Sequence, residues 1–408
     1  MTGCSDYLSR RAVLGSAGAM FAWGFAPRFA QAAGGRDTRF LCIVLRGAID
    51  GLSAVAPLGD PAYAGLRGSI ALSATGEVPA LPLDGFFYLH PALPELHRSF
   101  QAKEALICHA VATGYRQRSH FDGQDVLESG QPKPGMTASG WLNRLVAQLP
   151  AGSTVRGNSG LAVGTVPPLV LRGPAPIVGW APPVIGLADD DLAERVLSLY
   201  RQRDRRLADV LERGLDVRRT VMESGRAAER MDGNPGTPGG MRTIARGAAR
   251  LLAAPDGPRV AAMAFEGWDT HANEGGAKGR LAHLLGGLDQ ALVAIRTELQ
   301  EHWKDTVVMV VTEFGRTARV NGTVGTDHGT GTIALLVGGC VNGGRVISDW
   351  PGLKPGDLHD GRDLKPTLDV RALASGLFAD LFGVSRARLG EVVFPETIGL
   401  RPVSGLIV

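Results

Sequence analysis

The sequence predicts an α/β fold: three layers, with a mostly parallel sheet flanked by helices. Two observations predict it. Short apolar, β-branched runs recur along the chain, such as Thr306-Val-Val-Met-Val-Val-Thr312 and Ile333-Ala-Leu-Leu-Val-Gly338, and such runs read as strands buried on both faces. Stretches with helical spacing of apolar residues alternate with these runs, the order that a parallel sheet with crossover helices requires. With 408 residues, 44% hydrophobic and 20% charged, the chain is long enough to bury a large core.

The first 32 residues stand apart. Ser9-Arg10-Arg11-Ala12 places two arginines ahead of an apolar stretch, residues 12–26, and Ala30-Gln31-Ala32 offers a small-x-small cleavage site. This pattern reads as a bacterial twin-arginine signal rather than a spanning helix, and it implies export of a folded protein to the periplasm or beyond. The export machinery is then a partner. Cleavage after Ala32 removes three arginines and one aspartate, which takes the net charge from +3 to +1. So nearly neutral a chain, with no basic stripe interleaved with aromatics, points away from nucleic acid. No later apolar run has the length of a transmembrane helix, so no membrane anchor is expected after cleavage.

Residues 33–408 read as one domain. Residues 39–46 form the first strand, which runs into a glycine-flanked turn with Asp50 just past its end. Residues 57–82 read as loop. Proline at the first helical position starts a helix over 91–101, followed by a strand over 105–111. Ser119 then stands at the N-cap of a helix that runs to residue 128. Residues 141–148 are a helix, 160–164 a short strand and 166–183 an extended loop rich in proline and glycine. Residues 189–231 are charged and helical, with one apolar face, and read as a helical insertion against the sheet. Helices follow over 243–253 and 277–303, with strands over 259–265 and 306–312, and 366–382 is the last helix. Cys42 and Cys108 lie inside strands as small buried apolar residues.

The polar residues cluster at strand ends. Asp50 follows the first strand, Asp269 and His271 follow the strand over 259–265, and Glu313 follows Thr312. Arg316, Asp327 and His328 complete the loop that leads to Ile333, and Ser119-His120 follows the strand over 105–111. In a parallel sheet with right-handed crossovers these loops share one edge, outside the carboxyl ends of the strands, where α/β proteins bind ligands. Aspartate with histidine suits divalent ions, and metal ions can clamp the oxygens of a displacement at phosphorus or sulfur. A serine at a helix N-terminus is well placed as a nucleophile, because the helix end favours negative charge.

Each residue also has a plainer reading. Asp50 before glycine can cap a turn, Ser119 can be an ordinary N-cap, and Glu313 with Arg316 can be an ion pair that shapes its loop. No Gly-x-Ser-x-Gly elbow, Walker loop or His-Glu-x-x-His motif is present.

The motifs Leu45-Arg-Gly-Ala-Ile-Asp-Gly-Leu52, Ser119-His-Phe-Asp-Gly-Gln-Asp125, Trp268-Asp-Thr-His271, Glu313-Phe-Gly-Arg316 and Gly325-Thr-Asp-His-Gly329, together with the signal, resemble the bacterial exported family of unknown function numbered 1501. That family is similar to the alkaline phosphatase and sulfatase superfamily. The resemblance implies an alkaline phosphatase-like fold and divalent metal ions (zinc, manganese, iron, calcium or magnesium) held by Asp50, Asp269, His271, Asp327 and His328. It implies Ser119 as the nucleophile and brings no substrate with it; the residues themselves add His120, Glu313 and Arg316 as candidate catalytic groups, and the expected substrate is a small-molecule or envelope-derived anionic ester of phosphate or sulfate. The superfamily's final histidine has one candidate late in the chain, His359, in a polar loop. The alternative expectation is an exported binding or assembly protein that kept the fold without catalysis.

Overall fold

Strand β1, Arg39–Leu45, is buried along its whole length. Its side chains alternate between two cores: Leu41, Ile43 and Leu45 enter one, and Phe40, Cys42 and Val44 the other. That is what a pleated strand covered on both faces requires, and it explains the continuous apolar run. The computed structural model describes residues 37–149, 160–182, 190–223 and 234–408. The signal sequence expected over residues 1–32 lies outside them, as does the end of the charged insertion.

The other strands of the main sheet are β2 (Ala105–Ala112), β3 (Gly160–Val163), β4 (Ile177–Trp180), β5 (Val260–Phe265), β6 (Thr306–Val311), β7 (Thr332–Val337), β8 (Arg345–Ile347) and β9 (Leu368–Asp369). Their order is β8-β2-β7-β6-β1-β5-β3-β4, with β9 also on β2. β1 lies between β5 and β6 in parallel register, with Cys42 beside Ala262 and Met309. The departure from parallel is β7, antiparallel to both β2 and β6. Because β7 is reversed, its N-terminal end lies at the sheet edge where β1, β2, β5 and β6 have their C-terminal ends. The loop before β7 and the loops after the other four strands therefore meet at one edge.

The main helices are α1 (Pro94–Gln101), α2 (His120–Ser129), α3 (Trp141–Val146), α4 (Asp190–Arg203), α5 (Arg205–Glu223), α6 (Pro238–Ala253), α7 (Arg280–Leu299) and α8 (Val370–Phe382). Side chains of α1, α6 and α7 fill the core on one face of the sheet, and those of α3 and α8 fill the other. The expected three-layer, mostly parallel α/β architecture is what the chain adopts. At about 1.5–3 kcal/mol per fully buried large apolar side chain, these two cores are the main favourable contribution to its stability.

Several boundaries differ from expectation. α1 starts at Pro94, not residue 91, and its first turn is capped from outside: the Asp289 carboxylate accepts from Glu95 N at 3.2 Å and Leu96 N at 2.9 Å. The stretch read as an extended loop over 166–183 contains β4, which Pro176 and Gly179 disguised in the sequence. α6 begins at Pro238 instead of residue 243, with Thr237 Oγ1 accepting from Gly240 N at 3.1 Å. The insertion is two helices that break at Asp204. Val55–Ala56, Leu81–Pro82 and Tyr88–Leu89 form a small separate sheet.

Candidate metal centre

α2 begins where the loop after β2 ends. Arg118 adopts φ +63°, a left-handed conformation uncommon for a side chain with a Cβ, and it turns the chain into Ser119, the N-cap residue. The Ser119 side chain caps nothing, and its backbone N–H donates to Tyr115 Oη at 3.2 Å. His120 follows. Its Nδ1 lies 2.8 Å from Glu313 Oε1 and its Nε2 lies 2.9 Å from His328 Nε2. Nε2 of His328 also lies 2.9 Å from Nε2 of His271. The Asp269 carboxylate joins them, 3.5 Å from Nε2 of His120, 3.5 Å from Nε2 of His328 and 3.2 Å from Nε2 of His271.

The partners on the far side of each ring decide what these nitrogens can be. A carbonyl and an ionised carboxylate only accept, so a ring nitrogen facing one must carry the proton. Nδ1 of His328 faces the Arg118 carbonyl at 2.9 Å, Nδ1 of His120 faces Glu313, and Nδ1 of His271 faces Asp327 Oδ1 at 3.3 Å. In the neutral rings each Nε2 is then a lone pair, and the lone pairs point at one another. A proton on one ring relieves one contact but not both contacts made by His328. A cation shared by His120, Asp269 and His328 gives those lone pairs a common partner. Separations of 2.9–3.5 Å between these atoms suit ligands about 2.0–2.2 Å from one ion. His120, Asp269 and His328 are the group of ligand-type side chains that converges among the described residues, with His271 in contact with two of them.

The surroundings hold this arrangement. Glu313 is buried and accepts from Gly47 N at 2.9 Å, His120, Gln124 Nε2 at 3.1 Å and Thr312 Oγ1 at 2.9 Å. Burial pushes its carboxyl up, but these hydrogen bonds, led by that from His120, outweigh it and hold the pKa below the ordinary value. The same bond raises His120 above the usual imidazole value against its partial burial. His328 is lowered, first by burial and then by the positive charge of His120 and Arg316. The Arg316 guanidinium donates to the carbonyls of Ala48, Gly47, Thr326 and Trp268 and to Asp269. Burial would raise Asp269, but the Arg316 bond and charge lower it.

Glycine allows the ligand loops to pack this closely. A Cβ on Gly325 would land on the His271 carbonyl oxygen, and one on Gly329 on the Arg316 backbone. The loop before β7 is braced against residues 313–317 by Gly329 N to Gly315 O at 2.7 Å and Thr317 N to Asp327 O at 2.9 Å.

The structure therefore brings together His120, Asp269, His271 and His328 and sorts the rest. Glu313 stands behind His120, and Asp327 behind His271, where Asn321 Nδ2 also reaches its Oδ1 at 3.1 Å. Arg316 has its donors taken by carbonyls and by Asp269, whose carboxylate it orients. Asp50, expected as a ligand, is not in the cluster: its carboxylate pairs with the buried Arg67 and accepts from Ser53 N at 3.0 Å. His359 lies in the loop whose Asp360 and Asp363 pair with Arg118. Sequence reasoning missed Arg67 and Glu274. Glu274 carried a usable signal, an acid before two glycines just past His271.

The family described as "Protein of unknown function (DUF1501)" matches residues 104–393, a span that holds the four converging residues and leaves Asp50 outside. No curated protein matches the sequence. Among solved structures, the chain is similar to Ps i-CgsB in complex with k-i-k-neocarrahexaose, at 11% identity over 90% of this chain and 77% of that one, with TM-score 0.41. It is similar to the phosphonate monoester hydrolase of Agrobacterium radiobacter at 13% identity over 76% and 70%, with TM-score 0.35. It is also similar to a protein of Bacteroides thetaiotaomicron from work on the metabolism of multiple glycosaminoglycans, at 9% identity over 90% and 75%, with TM-score 0.41.

Proposed function

The chain belongs to the DUF1501 family, and from that premise we propose that it is a metal-dependent hydrolase of phosphate or sulfate esters. The observation that carries this reading is the convergence of His120, Asp269 and His328, with His271 against the last two, each ring oriented by an acceptor at Nδ1. Three imidazoles and one carboxylate suit zinc, manganese or iron, and suit calcium and magnesium poorly, since those take oxygen ligands. A divalent ion there supplies a Lewis acid and makes a bound water acidic.

The chain's own groups divide the remaining work. Glu313, the Arg118 carbonyl and Asp327 keep the Nε2 lone pairs turned inward, and Arg316 keeps Asp269 in place. Ser119, whose hydroxyl caps nothing, is the nucleophile in this reading, and the N-terminus of α2 favours an anionic oxygen beside it. The substrate is a small or envelope-derived anionic ester, met after twin-arginine export. No helix among the described residues is long and apolar enough to cross a membrane.

The test is metal analysis of the exported, processed protein, with a panel of phospho- and sulfoesters. Stoichiometric zinc, manganese or iron, lost in His328→Ala, with turnover lost in Ser119→Ala while metal is kept, is the expected result. Wild-type protein without metal, and without ester turnover that His328→Ala abolishes, would sink the reading. A second reading, an exported binding protein without catalysis, is favoured by one observation: Asp50 is already neutralised by Arg67, so the acid after β1 is not free for a second ion. Metal bound with no turnover of any ester supports that reading.

A further inference from the structure

Behind the four converging residues lies a second cluster of ionisable groups. Asp50, Arg67 and Glu274 are each at most 1% exposed. Arg67 pairs with Asp50, lies 3.6 Å from Glu274 Oε1 and donates to Ser53 Oγ at 2.6 Å. Ser53 Oγ donates in turn to Glu274 Oε1 at 3.2 Å. The other oxygen of Glu274, Oε2, accepts from Thr270 Oγ1 at 3.0 Å and from Thr326 Oγ1 at 2.7 Å. Thr270 sits between Asp269 and His271, and Thr326 directly precedes Asp327-His328. One carboxyl group thus ties together the two loops that supply three of the four converging residues, and those loops also meet through Thr326 N to Thr270 O at 3.2 Å.

The charges in this cluster do not balance if both acids are ionised. Two carboxylates would share one guanidinium in a site closed to water, and burying the surplus charge is expensive. Both carboxylates face the same nitrogen of Arg67, Nη2. Two buried acids that converge on one cation keep a proton on one of them, because like charges disfavour ionising both. Asp50 has the closer contact with Arg67 and accepts from the Ser53 backbone, so Asp50 is the ionised partner and Glu274 the protonated one. Burial, then the nearby charge of Asp50, pushes Glu274 up to about 8, in the same direction.

We infer that Glu274 is a positioning residue for the metal centre, and that it clasps the Thr270 and Thr326 loops as a neutral acid beside the ionised Asp50. The inference rests on the metal-centre reading above. A protonated carboxyl presents one donor and one accepting oxygen, which is what a glutamine side chain presents. Glu274→Gln therefore keeps both threonine bonds and the neutral charge, whereas Glu274→Ala releases the threonines. An ionised Glu274 acting as counter-ion to Arg67 would not tolerate glutamine.

The experiment is titration of metal-stripped, processed protein with Zn²⁺ and Mn²⁺ at neutral pH, with infrared spectra of the same samples. Affinity within about twofold of wild type is expected for Glu274→Gln. A loss of about 10-fold or more, the effect of removing groups that orient ligands, is expected for Glu274→Ala. Thr270→Val/Thr326→Val should match Glu274→Ala and tests the clasp where the alanine variant fails to fold. The carbonyl band of a buried protonated carboxyl should be present in wild type and absent in Glu274→Gln. Glutamine as damaging as alanine, no such band, or wild-type affinity in both the alanine and double-valine variants overturns the inference. A wild-type chain that binds neither ion overturns the metal reading instead, and the infrared band still decides where the proton lies.

Discussion

Glu313 and His120, 193 residues apart, are joined by a 2.8 Å hydrogen bond that leaves Nε2 of His120 facing Nε2 of His328. The bond fixes a tautomer. Were Nδ1 of His120 bare, Nε2 would carry the proton and could not ligate. Glu313→Gln should therefore weaken Zn²⁺ binding by about 10–100-fold, since the amide can turn its NH₂ group toward His120 and stabilise the wrong tautomer. Calorimetric titration checks this, and unchanged affinity would show that His120 is not a ligand.

The close passage of Gly325 against the His271 carbonyl makes the loop before β7 intolerant of a side chain. Gly325→Ala should cost about 1–3 kcal/mol of stability, as overpacking does elsewhere, and should lower metal affinity through His271. Urea unfolding and metal titration measure the two effects. A neutral result in both would mean that the loop has slack.

Asp289 connects pH to stability. Burial raises its carboxyl to about 6, against the lowering effect of the Leu96 and Glu95 N–H groups that it caps. A folded-state pKa above the unfolded one means that the stability contributed by its proton is fully present below about pH 4. That contribution is lost as pH rises through 6. The urea midpoint of wild type should therefore gain on that of Asp289→Asn as pH is lowered from 7.5 to 5. A difference that stays flat across this range would contradict the assignment.

Cys42, Cys108 and Cys340 are buried, and burial pushes the thiol of Cys108 up to about 12 and that of Cys42 higher still. Thiolate is the reactive form. These three thiols should resist a disulfide reagent in native protein lacking Cys4 and react stoichiometrically in denaturant, as a colorimetric assay will show. Rapid labelling of any of them in the folded state would contradict their burial.

Much of the sheet was readable along the chain, because burial on both faces writes itself as consecutive apolar residues. β1, β2, β5, β6 and β7 were expected close to where they lie, and so was the edge at which their loops gather. β4 was not, because an edge strand is half covered and needs no apolar run. The cap on α1 was not either, since Asp289 lies 193 residues from Leu96.

By itself the sequence determined the three-layer α/β fold and the loops that carry the acids and imidazoles, because periodicity and glycine placement are local properties. Only the tertiary structure decided what each of those residues does. It turned His120, Asp269 and His328 toward one point with His271 against two of them, set Glu313 and Asp327 behind the rings, and gave Asp50 to Arg67. The physical reason is that the acceptor at one ring nitrogen decides where the lone pair of the other faces. For His328 that acceptor is the carbonyl of Arg118, 210 residues away.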